Sequence, residues 1–168
     1  MKNTDAEWVL ITGASGGFGE EFARQFAAQG RPLILVARRR DKMESLAQEI
    51  RERYKTDVIV EQVDLAIIEA VSDLHRRLKA QNIQVDTLVN NAGYGLQGRF
   101  LDHSVTESLN MINLDIGSLT AVTRVFAEDM KNAGKGHILM VASLLSYQGV
   151  KNCAVYSAAK SYVLRFSE

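Results

Sequence analysis

Val9-Leu10-Ile11-Thr12-Gly13-Ala14-Ser15-Gly16-Gly17-Phe18-Gly19 decides how the rest of the chain folds. A short apolar run stops in a turn holding four glycines, and a helical pattern starts at once behind it. Glu20, Phe22, Ala23, Phe26 and Ala27 carry that pattern, and Gly30 closes it as a C-terminal cap. Glycine tolerates backbone angles that other residues resist, and it lets a bulky anion approach the main chain. The helix behind it presents free N–H groups and the positive end of its dipole to a phosphate. Strand, turn and helix in this order form the unit expected at a nucleotide site; a ligand-free tight turn is the plainer alternative. The spacing is G-x-x-x-G-x-G over Gly13, Gly17 and Gly19, not the common G-x-G-x-x-G.

Downstream, strand and helix patterns alternate. Pro32 stands at the head of Leu33-Ile34-Leu35-Val36, an unbroken apolar run suited to a strand buried on both faces. Asp41 and Glu44 have capping-box spacing ahead of a helix with Met43, Leu46, Ile50 and Tyr54 on one face. Val58-Ile59-Val60 reads as a third strand and Val85 to Val89 as a fourth, with Ile68, Val71, Leu74 and Leu78 marking the helix between them. Ser104 and Glu107 form a second box, opening a long helix toward Met130. Ile138 to Val141 gives a fifth strand, and a last helix begins near Ala154. Such alternation predicts an α/β fold, a doubly wound parallel sheet in the order 3-2-1-4-5 with helices on both faces. The ligand crevice then lies at the carboxyl ends of strands one and four. No repeat or linker interrupts residues 1–168, which read as a single domain.

The bulk numbers exclude several classes. Apolar residues make up 46% of 168, an ordinary globular share that argues against disorder. Lys plus Arg equals Asp plus Glu at 20 each, so overall charge claims neither nucleic acid nor a membrane surface. Cys153 is the lone cysteine, Met1 to Asp5 carry no apolar leader core, and no apolar run nears membrane length. A soluble cytoplasmic protein is expected. His75, His103 and His137 lack metal-ligand spacing, so no metal is expected.

The chemistry-bearing residues fall at the strand ends. Strand two ends in Ala37, where an acidic side chain would bond the ribose 2′-hydroxyl of NAD; Arg38 follows and suits a 2′-phosphate. That pairing favours NADP(H) over NAD(H), against the plainer alternative of a solvated basic loop. Asp64-Leu65 follows strand three, where the carboxylate either meets an adenine amino group or caps the next helix. Asn90-Asn91-Ala92-Gly93 ends strand four, with small residues that clear the sheet edge and Asn side chains able to tie strand ends together. Beyond strand five stand Ser143 and then Tyr156-Ser157-Ala158-Ala159-Lys160. A Tyr and a Lys four apart share a helix face, and an ammonium beside a phenol favours the phenolate.

TGASGGFG, the NNAG stretch, Ser143 and the Tyr156/Lys160 pair together resemble the short-chain dehydrogenase/reductase family, across Val9 to Glu168. The resemblance implies a Rossmann-type domain and hydride transfer between a nicotinamide and a carbonyl/alcohol substrate. It implies cofactor contacts from Gly13, Ser15, Gly17, Phe18 and Gly19, from Arg38, Asp64, Leu65, Asn91, Ala92 and Gly93, and from Tyr156 and Lys160. Tyr156 is the implied acid/base, Lys160 its electrostatic partner and ribose ligand, and Ser143 the group that holds the substrate oxygen. A non-catalytic NADP(H)-binding protein, or an inactive remnant, is the alternative; an epimerase or dehydratase of the extended relatives ranks last. Two features depart from the family. The tetrad's Asn falls, by ungapped counting from Ser143, on Asp115, with Asn113 two residues earlier and Gly117 weakening the helix there. The chain also stops at Glu168, which reads as a C-terminal truncation that leaves strand five as an edge. Tyr94, Leu96, Leu145 and Tyr147 are expected to face a small-molecule substrate, and the family's habit suggests a homo-oligomer.

Overall fold

A computed structural model describes residues 7–168; the leader-free reading of Met1 to Asp5 lies outside them. Five parallel strands, β1 (Glu7–Thr12), β2 (Leu33–Ala37), β3 (Val58–Gln62), β4 (Gln84–Asn90) and β5 (His137–Met140), pair in the order β3-β2-β1-β4-β5. Six helices connect or follow them: α1 (Phe18–Ala28), α2 (Arg40–Tyr54), α3 (Glu69–Ala80), α4 (Val105–Ile112), α5 (Leu119–Ala133) and α6 (Ala154–Ser167). The order reverses at β1 and β4, as the strand pattern predicts.

Every β2 residue is buried, and its side chains alternate between two cores. Leu33 and Leu35 join Val9, Ile11, Met43 and Ile50 beneath α1 and α2, while Ile34 and Val36 join Leu10, Leu74, Leu88 and Phe126 beneath α3 and α5. Each such side chain removed from water stabilises the fold by about 1.5–3 kcal/mol before conformational entropy is charged against it. Two-sided burial is why these strands read as continuous apolar runs.

Helix boundaries follow local chemistry. Gly30 adopts φ 74 beyond the end of α1, and the Arg31 N–H returns to the Phe26 carbonyl at 3.1 Å. Ser104 and Glu107 close the expected capping box on α4. Asp41 and Glu44 do not form theirs: α2 starts at Arg40, which puts Asp41 inside the first turn and turns Glu44 toward Arg40. Ile68 likewise leaves the buried face; it precedes α3 and is half exposed, while Val71, Leu74 and Leu78 are buried. The long helix expected from Ser104 is interrupted over Asn113–Ser118 by a π-helical segment, which contains Gly117. At β5, His137 to Leu139 are exposed, including the apolar pair Ile138 and Leu139.

Candidate active site

Thr12 ends β1 and anchors the site. Its Oγ1 donates to the Val89 carbonyl at 3.2 Å and accepts the N–H groups of Asn91 at 3.0 Å and Ala92 at 2.9 Å. Asn91 Nδ2 donates back to the Thr12 carbonyl at 3.0 Å and the Gly13 carbonyl at 3.3 Å. Asn90 turns the other way and donates to Thr123 Oγ1 at 2.8 Å, tying β4 to α5. The carboxyl ends of β1 and β4 are thereby locked side by side. Gly13, at φ 68, leads into the turn, and Gly19 packs against it so closely that a Cβ there would lie 2.3 Å from the Gly13 carbonyl oxygen.

An open cleft of about 730 Å³ runs over these strand ends. Gly13, Ser15, Gly17 and Phe18 line it from the glycine turn, Arg38 from the end of β2, and Asp64 and Leu65 from the end of β3. Asn91, Ala92 and Gly93 form its floor, and Ser143, Tyr156 and Lys160 its far wall. Of the expected cofactor and catalytic residues, Gly19 and Asp115 do not line the cleft; both are buried behind it. Asp64 settles part of its own ambiguity: Oδ1 accepts the Ala66 N–H at 3.1 Å, closing a local turn while the residue still faces the cleft.

Arg39 has no role assigned from sequence, yet it braces the turn. Its Nε donates to Ser15 Oγ at 3.2 Å and its Nη2 to the Ser15 carbonyl at 2.7 Å. Nothing in a run of three arginines singles it out. Arg38, its neighbour, is exposed on the cleft wall. Of the four residues expected to face a substrate, only Tyr94 lines the cleft. The 3₁₀ turn Leu144–Ser146, capped by Ser143 through the Leu145 N–H, puts Leu144 rather than Leu145 at the rim; Leu96 and Tyr147 lie outside it.

Lys160 is almost wholly buried. Its Nζ donates to the Val141 carbonyl at 3.0 Å and lies 5.8 Å from the centre of the Tyr156 ring. Behind it stands Asp115, fully buried in the π-helical segment, with Oδ2 3.7 Å from Nζ and Oδ1 accepting the Tyr94 N–H at 3.1 Å. Burial pushes the Asp115 carboxyl above its ordinary value, against the pull of the Lys160 ammonium and the Tyr94 N–H. The Tyr94 phenol is pushed up too, first by burial and then by the Asp115 charge. The cleft therefore joins the glycine turn at one end to a Ser, Tyr and Lys cluster at the other. Such a cluster can hold an oxygen and move a proton to or from it.

The short chain dehydrogenase family model matches residues 7–168. The chain belongs to the short-chain dehydrogenase family. Within it, the chain is 31% identical to the very-long-chain 3-oxoacyl-CoA reductase of Homo sapiens, over 96% of the chain and 53% of that protein. It is 29% identical to an NADP-dependent 3-hydroxy acid dehydrogenase of Schizosaccharomyces pombe, over 99% of the chain and 65% of that protein. A short-chain dehydrogenase from Sphingobium yanoikuyae, solved with NADPH, superposes with a TM-score of 0.90 at 30% identity, over 96% of this chain and 62% of that one. The chain thus spans about half to two thirds of the length of these relatives. Among the described residues no group of three His, Cys, Asp or Glu side chains could hold a metal ion, and no helix is long and apolar enough to cross a membrane.

Proposed function

We propose that residues 1–168 form one NADP(H)-binding unit of an oxidoreductase that interconverts a carbonyl and an alcohol. The observation that carries this reading is the single cleft that joins the glycine turn to Ser143, Tyr156 and Lys160. The cleft fits a dinucleotide. Its turn lacks side chains at Gly13, Gly16 and Gly17, where a pyrophosphate needs main-chain contact, and Arg38 is free to meet a 2′-phosphate as a fork. NADP(H) is favoured over NAD(H) because Ala37 offers no acceptor for a ribose 2′-hydroxyl. The relatives named for NADP or solved with NADPH support the same choice.

When bound, the nicotinamide supplies hydride exchange at the substrate carbon. The chain's own residues do the rest. The Ser143 hydroxyl donates a hydrogen bond to the substrate oxygen and steadies charge developing there. In reduction the Tyr156 Oη–H bond breaks as the oxygen–hydrogen bond of the alcohol forms; in oxidation the proton returns to Oη. Lys160, held by Val141, keeps a positive charge beside that phenol. Asn91 and Thr12 keep the floor rigid. The cleft suits a small-molecule substrate, with Tyr94 and Leu144 as an apolar rim. A cytoplasmic location, consistent with the single unpaired Cys153, and a homo-oligomeric assembly complete the proposal.

A carbonyl panel with NADPH tests the reading, comparing the 168-residue chain with Tyr156→Phe. Turnover is expected to fall by about 10²-fold or more while NADPH binding persists. Equal turnover in both proteins contradicts the assigned proton path. Binding without turnover on any carbonyl contradicts the enzyme and leaves a nucleotide-binding protein.

A further inference from the structure

Asp115 is a fully buried carboxylate in the π-helical segment behind the cleft. A carboxylate excluded from water needs partners for both oxygens, yet Oδ2 has no hydrogen-bond partner among the described residues. What it has is a neighbouring charge, Lys160 Nζ at 3.7 Å, beyond hydrogen-bond range. Gly93 makes the approach possible, since a Cβ there would lie 2.9 Å from Oδ2. Lys160 Nζ gives one of its three N–H groups to the Val141 carbonyl, and at 3.7 Å Asp115 acts on it chiefly through charge.

The titratable and charged groups around this carboxylate come from two places. Lys160 faces it from α6, with Tyr156 on the same helix beyond the ammonium; Tyr94 faces it from the loop after β4, itself within the influence of Arg38 and Glu107. An ammonium near a phenol favours the phenolate, and Lys160 Nζ lies 5.8 Å from the centre of the Tyr156 ring; an ionised carboxylate behind that ammonium offsets part of the pull.

We propose that Asp115 is a positioning residue that offsets the Lys160 charge and so holds the proton on Tyr156 to higher pH, biasing the site toward carbonyl reduction at neutral pH. Reduction starts from the phenol, whose proton passes to the nascent alkoxide; oxidation starts from the phenolate, which takes the alcohol's proton. A site that keeps the phenol therefore reduces readily at neutral pH and oxidises only in alkali. The consequence for direction rests on the proposed function; the charge offset itself does not.

The test is a phenolate titration of the 168-residue chain by near-ultraviolet absorbance, with the Tyr156 step in each protein assigned by subtracting the curve for Tyr156→Phe made in the same Asp115 background. The subtraction matters because Tyr94 also feels Asp115. In Asp115→Asn, which keeps the shape and can still accept the Tyr94 N–H, the Tyr156 step is expected to move to lower pH by on the order of one unit. Asp115→Ser, smaller and also uncharged, is expected to move it the same way, so the result does not depend on one variant folding. A step that stays put or moves to higher pH in a folded uncharged variant overturns the proposal. Where turnover is measurable, the alkaline limb of reduction is expected to follow the phenolate step downward. A shifted step in a protein with no turnover upholds the offset and contradicts the enzyme reading; turnover with an unmoved step contradicts the offset alone.

Discussion

At the scale of single residues, Thr12 shows where a sequence falls silent. Its place before Gly13 is visible in the chain, but its work is done on Val89, Asn91 and Ala92, 77 to 80 positions away. Thr12→Val keeps the shape and removes the acceptor, leaving the part-buried Ala92 N–H without its partner while the Asn91 N–H keeps the Val89 carbonyl at 3.1 Å. A destabilisation of about 1 kcal/mol is expected in urea unfolding, and Thr12→Ser should recover most of it. Tyr156 and Lys160, by contrast, are legible because their residue types and their spacing already state their chemistry. Arg39 is illegible for the same reason reversed: only its contact with Ser15 separates it from Arg38 and Arg40.

At the scale of elements, the periodicities identify the five strands and place the helices, with α4 and α5 read as one, and the other errors collect at element ends. Asp41 and Glu44 have the right spacing for a box, but a cap also requires an extended residue at the boundary, and the backbone is already helical at Arg40. Gly117 marks the weak point of the long helix, whereas its π-helical form and the inward turn of Asp115 depend on packing against α6 and the floor of the cleft. The α1–α2 contact carries a pH-dependent pair that no pattern reveals: Arg24 binds Glu49 through two hydrogen bonds, of 2.9 and 3.0 Å. Arg24 holds the Glu49 carboxyl below its ordinary value of 4.5, so the stabilisation is present above that pH and is lost as pH falls through the lower folded value. The pair is partly solvated, so Glu49→Gln should cost only about 0.5 kcal/mol at neutral pH. In urea unfolding well below pH 4.5 the difference between the two proteins should vanish.

At the scale of the whole molecule, the strand order was readable because alternating β and α elements leave few right-handed arrangements, and the cleft position follows from that order. The exposed β5 is the feature with a consequence in solution. Among the described residues it pairs only with β4, and Ile138 and Leu139 are 37% and 42% exposed. The 168-residue chain is therefore expected to associate with rising concentration in light scattering, and Leu139→Lys to reduce that association. Equal scattering from both would mean that this strand is not the contact. The account as a whole depends on a phosphorylated dinucleotide lying in the cleft between the glycine turn and Tyr156, and fluorescence titration with NADPH and NADH measures that most directly. NADPH is expected to bind at least about tenfold more tightly than NADH, and Arg38→Ala to erase most of the difference. A chain that binds neither nucleotide, or binds both equally with Arg38 intact, would contradict it.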